Sequence, residues 1–311
     1  MRLRSLLAAS LVFAPGVALA TPDGAGQPID RGHHFQEAVT PVMENIVWLD
    51  GFMHIMMFGI VVFVTALMAI CIFKFSRKAN PNPSTTTHNT TIEVIWTVVP
   101  CIILVVIAVP SVQLLFLQLE VPKPDLTIKV TGAQWNWIYE YPEEEIEIFS
   151  YMIGSPGTAI PEELEGTFSG TNGNPELTYA YNKDVQTLLE HYGHDREQFL
   201  LATDTRVYVP VDANVHLLIT ANDVIHNWAI PSFGVKMDAM PGRINETWFR
   251  ATEIGTYYGQ CSELCGQAHS YMPIVVEVVS QEDYDAWVQQ TQAAQHGEAA
   301  VQTAEADQPA Q

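Results

Sequence analysis

Two long apolar runs set the first bound on what this chain can become. They span about residues 52–75 and 91–117, and include Ile60-Val-Val-Phe-Val-Thr-Ala-Leu-Met-Ala-Ile70 and Trp96-Thr-Val-Val-Pro-Cys-Ile-Ile-Leu-Val-Val-Ile-Ala108. Each reaches the roughly 20 residues that cross a bilayer as a helix. Buried helices of soluble domains seldom run this far without charge. Pro100 and Pro110 would be costly inside a soluble helix but are tolerated in membrane helices packed on neighbours. The runs therefore predict a two-helix transmembrane hairpin. Lys74, Arg77 and Lys78 cluster between them, which places the 76–90 loop in the cytoplasm and both ends of the chain outside.

The first residues agree with that orientation. Met1-Arg-Leu-Arg4, a short apolar centre and Val17-Ala-Leu-Ala20 read as a secretory signal over residues 1–20, with cleavage after Ala20. Residues 21–51 are then an external N-terminal segment. The expected location is the bacterial inner membrane, with the large C-terminal domain in the periplasm.

Charge separates the two halves. The 311-residue chain carries a formal net charge of -21. Lys and Arg balance Asp and Glu up to residue 119, so the whole excess of acid lies beyond it. That sign excludes nucleic acid as a natural partner. It would instead steer a basic protein toward the exported domain.

Beyond Pro122 and Pro124 the pattern becomes extended. Leu126-Thr-Ile-Lys-Val-Thr131 alternates at period two, and the phase flips near Gly132, which suggests a β-bulge. Trp135, Trp137, Tyr139 and Tyr141 then take the odd positions. Further strand patterns fall at 205–210, 215–220, 226–230, 245–249, 255–259 and 273–279. Short strands between Gly, Pro and Asn turns predict an all-β sandwich over residues 122–290. The acid-rich, Gly- and Pro-rich stretch at about 142–200 reads as a surface insertion, with a short helix near 182–191. A closing helix is expected over 282–290, followed by a disordered Ala/Gln/Glu tail at 291–311.

One loop of this domain carries chemistry: Cys261-Ser-Glu-Leu-Cys265-Gly-Gln-Ala-His269-Ser-Tyr-Met272. Two thiols, an imidazole and a thioether are soft or borderline ligands of the kind that select copper. An exported Cys pair is also compatible with a disulfide, and a thiol–imidazole set with zinc. Neither of these needs Met272. His226, at the edge of an apolar strand, would complete a ligand set. Cys71 and Cys101 lie in the apolar runs and read as packing residues.

These segments together resemble subunit II of haem–copper cytochrome c oxidase. The resemblance rests on the hairpin, Glu93-Val-Ile-Trp-Thr-Val-Val-Pro100, Gln134-Trp-Asn-Trp-Ile-Tyr-Glu-Tyr141, Asp223-Val-Ile-His226-Asn-Trp-Ala-Ile-Pro-Ser232, Met237-Asp-Ala-Met-Pro-Gly-Arg243 and the cysteine loop. It implies a Greek-key, cupredoxin-like sandwich with a dinuclear CuA centre. Cys261 and Cys265 would bridge both coppers. His226 and Met272 would complete one copper, and His269 with the Glu263 carbonyl the other. The Glu263 carboxylate would reach a magnesium ion shared with subunit I, the partner that holds the haems. The resemblance further implies that Trp135 receives the electron from a basic cytochrome c, that Glu93 marks a proton-pathway entrance, and that Glu140 and Asp223 belong to an acidic docking patch. Subunit III is a further expected partner, and lipid surrounds the hairpin. The competing reading is a membrane-anchored copper chaperone or thiol-redox protein.

Overall fold

The computed structural model describes residues 26–306; the leader read at 1–20 lies outside the described residues. Two helices come first, α1 (Pro41–Lys74) and α2 (Thr90–Leu119), both long and apolar enough to cross a membrane. α1 starts earlier than the apolar run suggests. Thr40 caps it by accepting from the Met43 amide at 3.0 Å, and Pro41 fills the first turn, where its missing N–H costs nothing. The last part of the expected external segment is therefore helical. α2 continues through Pro100 and Pro110.

The β domain begins with β1 (Leu126–Ala133), β2 (Asn136–Tyr141) and β3 (Ile146–Ser150). After them come α3 (Lys183–His191), β4 (Val207–Pro210), β5 (Val215–Ala221), β6 (His226–Ile230) and β7 (Val235–Ala239). β8 (Asn245–Phe249), β9 (Gly255–Gln260), β10 (Pro273–Val279) and α4 (Gln281–Ala306) complete the order. One sheet runs β3-β2-β1-β5-β8, a second β4-β10-β9, and β6-β7 forms a hairpin beside them. β1 pairs parallel with β5, and β4 parallel with β10. In β5 the residues Val215, Leu217, Ile219 and Ala221 face inward at the strand period of two. They meet Ile274, Val276 and Val278 of β10 in one continuous core.

The structure corrects several expectations. β1 and β2 are consecutive strands of a hairpin that turns at Gln134 and Trp135, so the change of phase marks a turn, not a bulge. Gly132 is small for another reason. A Cβ there would stand 2.8 Å from Cδ2 of His226. The 142–200 stretch is only partly an insertion, because β3 is the edge strand of the main sheet. The rest, with α3 capped by Asn182, folds around a small core of its own built from Ile153, Val185, Leu188 and Leu189. α4 does not stop near Gln290. It continues to Ala306, through Ala, Gln and Glu, all strong helix formers. Gln292 and Gln295 donate to the carbonyl oxygens of Glu144 and Glu147. Only 307–311 of the expected disordered tail lie outside the described residues.

Two contacts fix the domain on the hairpin. The Thr40 hydroxyl donates to the Phe233 carbonyl at 2.8 Å, just where α1 begins. The Trp248 indole on β8 donates to the Leu117 carbonyl at 3.2 Å, near the end of α2. Val39 is fully buried in the domain core.

Candidate metal centre

The loop between β9 and β10 is closed at its base by the Cys261 amide, which donates to the Met272 carbonyl at 3.0 Å. The Ser262 amide ties it sideways to Asn227 of β6. Inside this frame the donors converge. The Cys261 and Cys265 sulfurs stand 3.9 Å apart. Nδ1 of His226 lies 4.0 Å from the Cys261 sulfur, and Nδ1 of His269 lies 3.5 Å from the Cys265 sulfur. Sδ of Met272 is 3.7 Å from Cys265, and the Glu263 carbonyl 3.4 Å from Cys261. All six expected copper donors are thus gathered in one place. The two cysteines, His226 and Met272 are buried, and His269 is half-buried.

The sulfur separation decides between the readings of the cysteine pair. A disulfide needs about 2.05 Å. At 3.9 Å the pair is unbonded, yet both sulfurs can reach one metal at the ~2.3 Å of a metal–thiolate bond. Donor chemistry points the same way, because thiolate, imidazole and thioether together suit copper.

Asp223 holds the site from outside. Its carboxylate accepts from the Gln134 amide at 2.7 Å, the Val224 amide at 2.7 Å and Nε2 of His226 at 2.9 Å. The contact with Asp223 fixes the ring with Nε2 outward and Nδ1 toward the Cys261 sulfur, so Nδ1 is the nitrogen a metal would take in place of its proton. The resemblance implied a docking role for Asp223; its observed side-chain contacts are with His226 and the Gln134 and Val224 amides. Its spacing of three from His226 was the available signal.

Ionisation follows this geometry. Burial pushes the Cys261 thiol up, but hydrogen bonding to His226 and to the backbone outweighs it and brings the group down to about 7. Burial and then the negative charge of Cys261 push Cys265 up to about 12. The pair resists holding two thiolates until a cation compensates them.

Gln134 and Trp135, on the β1–β2 turn, both donate to the Cys265 carbonyl, at 2.8 and 3.2 Å. Trp135 is half-exposed, so it links the surface to a ligand's backbone. Gln134 stood in the sequence only as the first residue of the Trp-rich motif, with no role of its own. Trp137, behind, sets its indole edge-on to the His226 ring at 5.9 Å. The remaining expected residues lie apart from the sulfurs. The Glu263 side chain is exposed. Glu140 pairs with Lys129 across the β1–β2 ladder. Glu93 accepts from the Asn89 amide at 3.2 Å, while Asn89 caps Ile92, a reciprocal cap at the start of α2.

A membrane-anchored, cupredoxin-like sandwich with a thiolate-rich metal loop at one end defines the class of this protein. The chain matches the family models described as cytochrome C oxidase subunit II, transmembrane domain, over residues 28–114 and periplasmic domain over 178–279. It is 45% identical over 298 residues to cytochrome c oxidase subunit 2 of Cereibacter sphaeroides, covering 93% of each chain. It is 39% identical over 286 residues to that of Arabidopsis thaliana, covering 90% of this chain and 96% of the relative. The crystal structure of the periplasmic domain of subunit II of cytochrome oxidase of Bradyrhizobium japonicum is 38% identical, covering 56% of this chain and 99% of that one, with a TM-score of 0.42. The chain belongs to the cytochrome c oxidase subunit II family. It is a membrane protein with a periplasmic domain.

Proposed function

We propose that this chain accepts electrons from a basic cytochrome c at a dinuclear copper centre and passes them to the haem of subunit I. As a cytochrome c oxidase subunit it is part of an oxidoreductase complex, and oxygen reduction and proton translocation belong to that assembly. One observation carries the reading: six soft or carbonyl donors converge around two sulfurs 3.9 Å apart. Two coppers bridged by Cys261 and Cys265 would supply a one-electron carrier whose charge is shared between both metals.

This chain's residues do the rest. His226, Met272, His269 and the Glu263 carbonyl would complete the hold on the metal beside the two cysteines. Asp223 keeps Nδ1 of His226 free to bind. Trp135 receives the electron at the surface and delivers it through its hydrogen bond to Cys265. Burial in the sandwich core excludes water and limits ligand movement when the charge changes. The exposed Glu263 carboxylate offers hard oxygen to a magnesium ion at the contact with subunit I. Glu93 caps α2 on the cytoplasmic side and marks a proton-pathway entrance in the neighbouring subunit. The acidic surface, with Glu140 and Asp223, steers the cytochrome. Subunit III and lipid cover the hairpin in the inner membrane, with both termini in the periplasm.

A copper chaperone is not favoured, because a chaperone site has no use for the aromatic strand and the buried, braced ligands. Metal counting and EPR on the purified full-length protein test the reading. Two coppers per chain sharing one unpaired electron are expected; a single copper, or a Cys261–Cys265 disulfide that refuses metal, overturns it. Electron transfer from the cytochrome should slow as ionic strength rises. A rate indifferent to salt would remove the steering role of the acidic surface.

A further inference from the structure

The segment between β3 and β4 packs on both limbs of the metal loop. On the limb that follows the cysteines, the Tyr179 ring stacks on the Tyr271 ring, with centroids 4.7 Å apart and planes inclined by 28°. Tyr271 closes the short turn His269–Tyr271, so it stands between two of the copper donors, His269 and Met272. On the limb that precedes them, Nε2 of Gln198 donates to the Tyr258 hydroxyl at 3.0 Å. Tyr258 is on β9, three residues before Cys261.

The segment is anchored well enough to act as a support. Its ends meet where Met152 bridges Thr203, and the Ile153 amide donates to the Ala202 carbonyl at 3.1 Å. The Asp204 carboxylate accepts from the Tyr151 and Ala159 amides, both at 2.8 Å. Tyr179 itself is held at a φ of 61°, a region that side-chain-bearing residues rarely adopt. Its amide donates to the Gly154 carbonyl at 2.9 Å. Such a conformation persists only where the surroundings enforce it, and here it presents the ring to Tyr271.

We propose that this segment is a brace for the copper loop, with Tyr179 and Gln198 as positioning residues. By gripping Tyr271 and Tyr258, it holds the His269–Met272 turn and the Cys261 limb at a fixed separation. The copper therefore keeps its full donor set in both charge states and is released slowly. The inference rests on the copper reading of the site, and it assigns the segment a task inside the molecule.

The test compares full-length wild type with Tyr179→Ala, Tyr179→Phe, Tyr179→Leu and Gln198→Ala. With copper bound, loss to an added chelator, the EPR spectrum and the reduction potential are measured. Without copper, hydrogen exchange is followed at the Cys261 and Tyr271 amides. Tyr179→Ala should speed copper loss and amide exchange by roughly two- to tenfold, the range that one aromatic pair supports, and should shift the potential. Tyr179→Phe, which keeps the stack, should match wild type. Should Tyr179→Ala not fold, Tyr179→Leu and Gln198→Ala carry the test, since neither removes the segment's own core. Wild-type copper loss, potential and exchange in the folded variants overturn the brace. Wild-type protein that binds no copper overturns the metal reading instead, while the exchange comparison still decides the brace.

Discussion

The indole nitrogen of Trp135 donates to the carbonyl oxygen of Cys265 across 3.2 Å. A half-exposed ring is thus joined to the backbone of a metal donor by one hydrogen bond. Tyr139 and Tyr141, on the strand β2 that follows the turn, are buried in the core and have no such contact.

Trp135→Phe should therefore keep the copper spectrum and slow electron uptake from the cytochrome. Gln134 continues to hold the same carbonyl, so stability should fall by only about 0.5–1.5 kcal/mol, the worth of one hydrogen bond. Stopped-flow reduction and thermal unfolding check both halves. Uptake at the wild-type rate would move the electron's point of arrival elsewhere.

Asp223→Asn tests the support of His226. The carboxylate accepts three donors, and the amide cannot offer the same charge to Nε2. Losing such an outer partner of a ligand typically costs about 10- to 100-fold in metal affinity. Competitive copper titration measures it. An unchanged affinity alongside weaker cytochrome binding would return Asp223 to the docking surface alone.

Gly132→Ala puts a methyl group against the imidazole, with its carbon 2.8 Å from Cδ2 of His226. The ring is fully buried and has little room to retreat. Overpacking of this kind costs about 1–3 kcal/mol, and the shifted ring should lower copper occupancy as well. Thermal midpoint and metal content are the measurements; normal values of both would mean that the loop yields freely.

Two groups near α3, the buried His194 and the half-buried Asp204, predict opposing pH dependences. Burial raises Asp204 from 3.8 to about 6, and burial and then Arg206 lower His194 from 6.5 to about 4. Between pH 4 and 6 the folded Asp204 holds a proton that the unfolded chain has lost, so its contribution to stability falls as pH rises. Folded His194 lacks a proton that the unfolded chain still binds, so its contribution rises with pH across about 4 to 6.5. The wild-type midpoint should change little over this interval through these two groups. Asp204→Asn should leave stability rising with pH, and His194→Gln should leave it falling. Thermal unfolding from pH 4 to 7 reads the slopes, and slopes of the opposite sign would refute the assignment.

Five of the six expected copper donors lie in one unbroken loop, so the sequence itself set soft ligands side by side. The sixth, His226, stood out as a polar residue opening an apolar strand. Residues whose roles depend on distant chain segments were less legible. Gln134 acts on Cys265 only after the β1–β2 turn and the metal loop meet. The role of Gly132 depends on a ring 94 positions away along the chain. β3 was hidden because Ile146 and Ile148 alternate with acids in a Glu-rich stretch, so composition outweighed period. The start of α1 was readable after all, since Thr40-Pro41 is a cap followed by a first-turn proline.

The two contacts between domain and hairpin have a mechanical consequence. Thr40 with Phe233 and Trp248 with Leu117 grip the sandwich at separate places, next to different helices. A body held at one point can swivel; held at two, it can only rock about the line between them. With Val39 buried in the sandwich core and hydrogen-bonded to Ser232 and Thr252 beside the first of these points, the metal loop is carried at a set place relative to both helices.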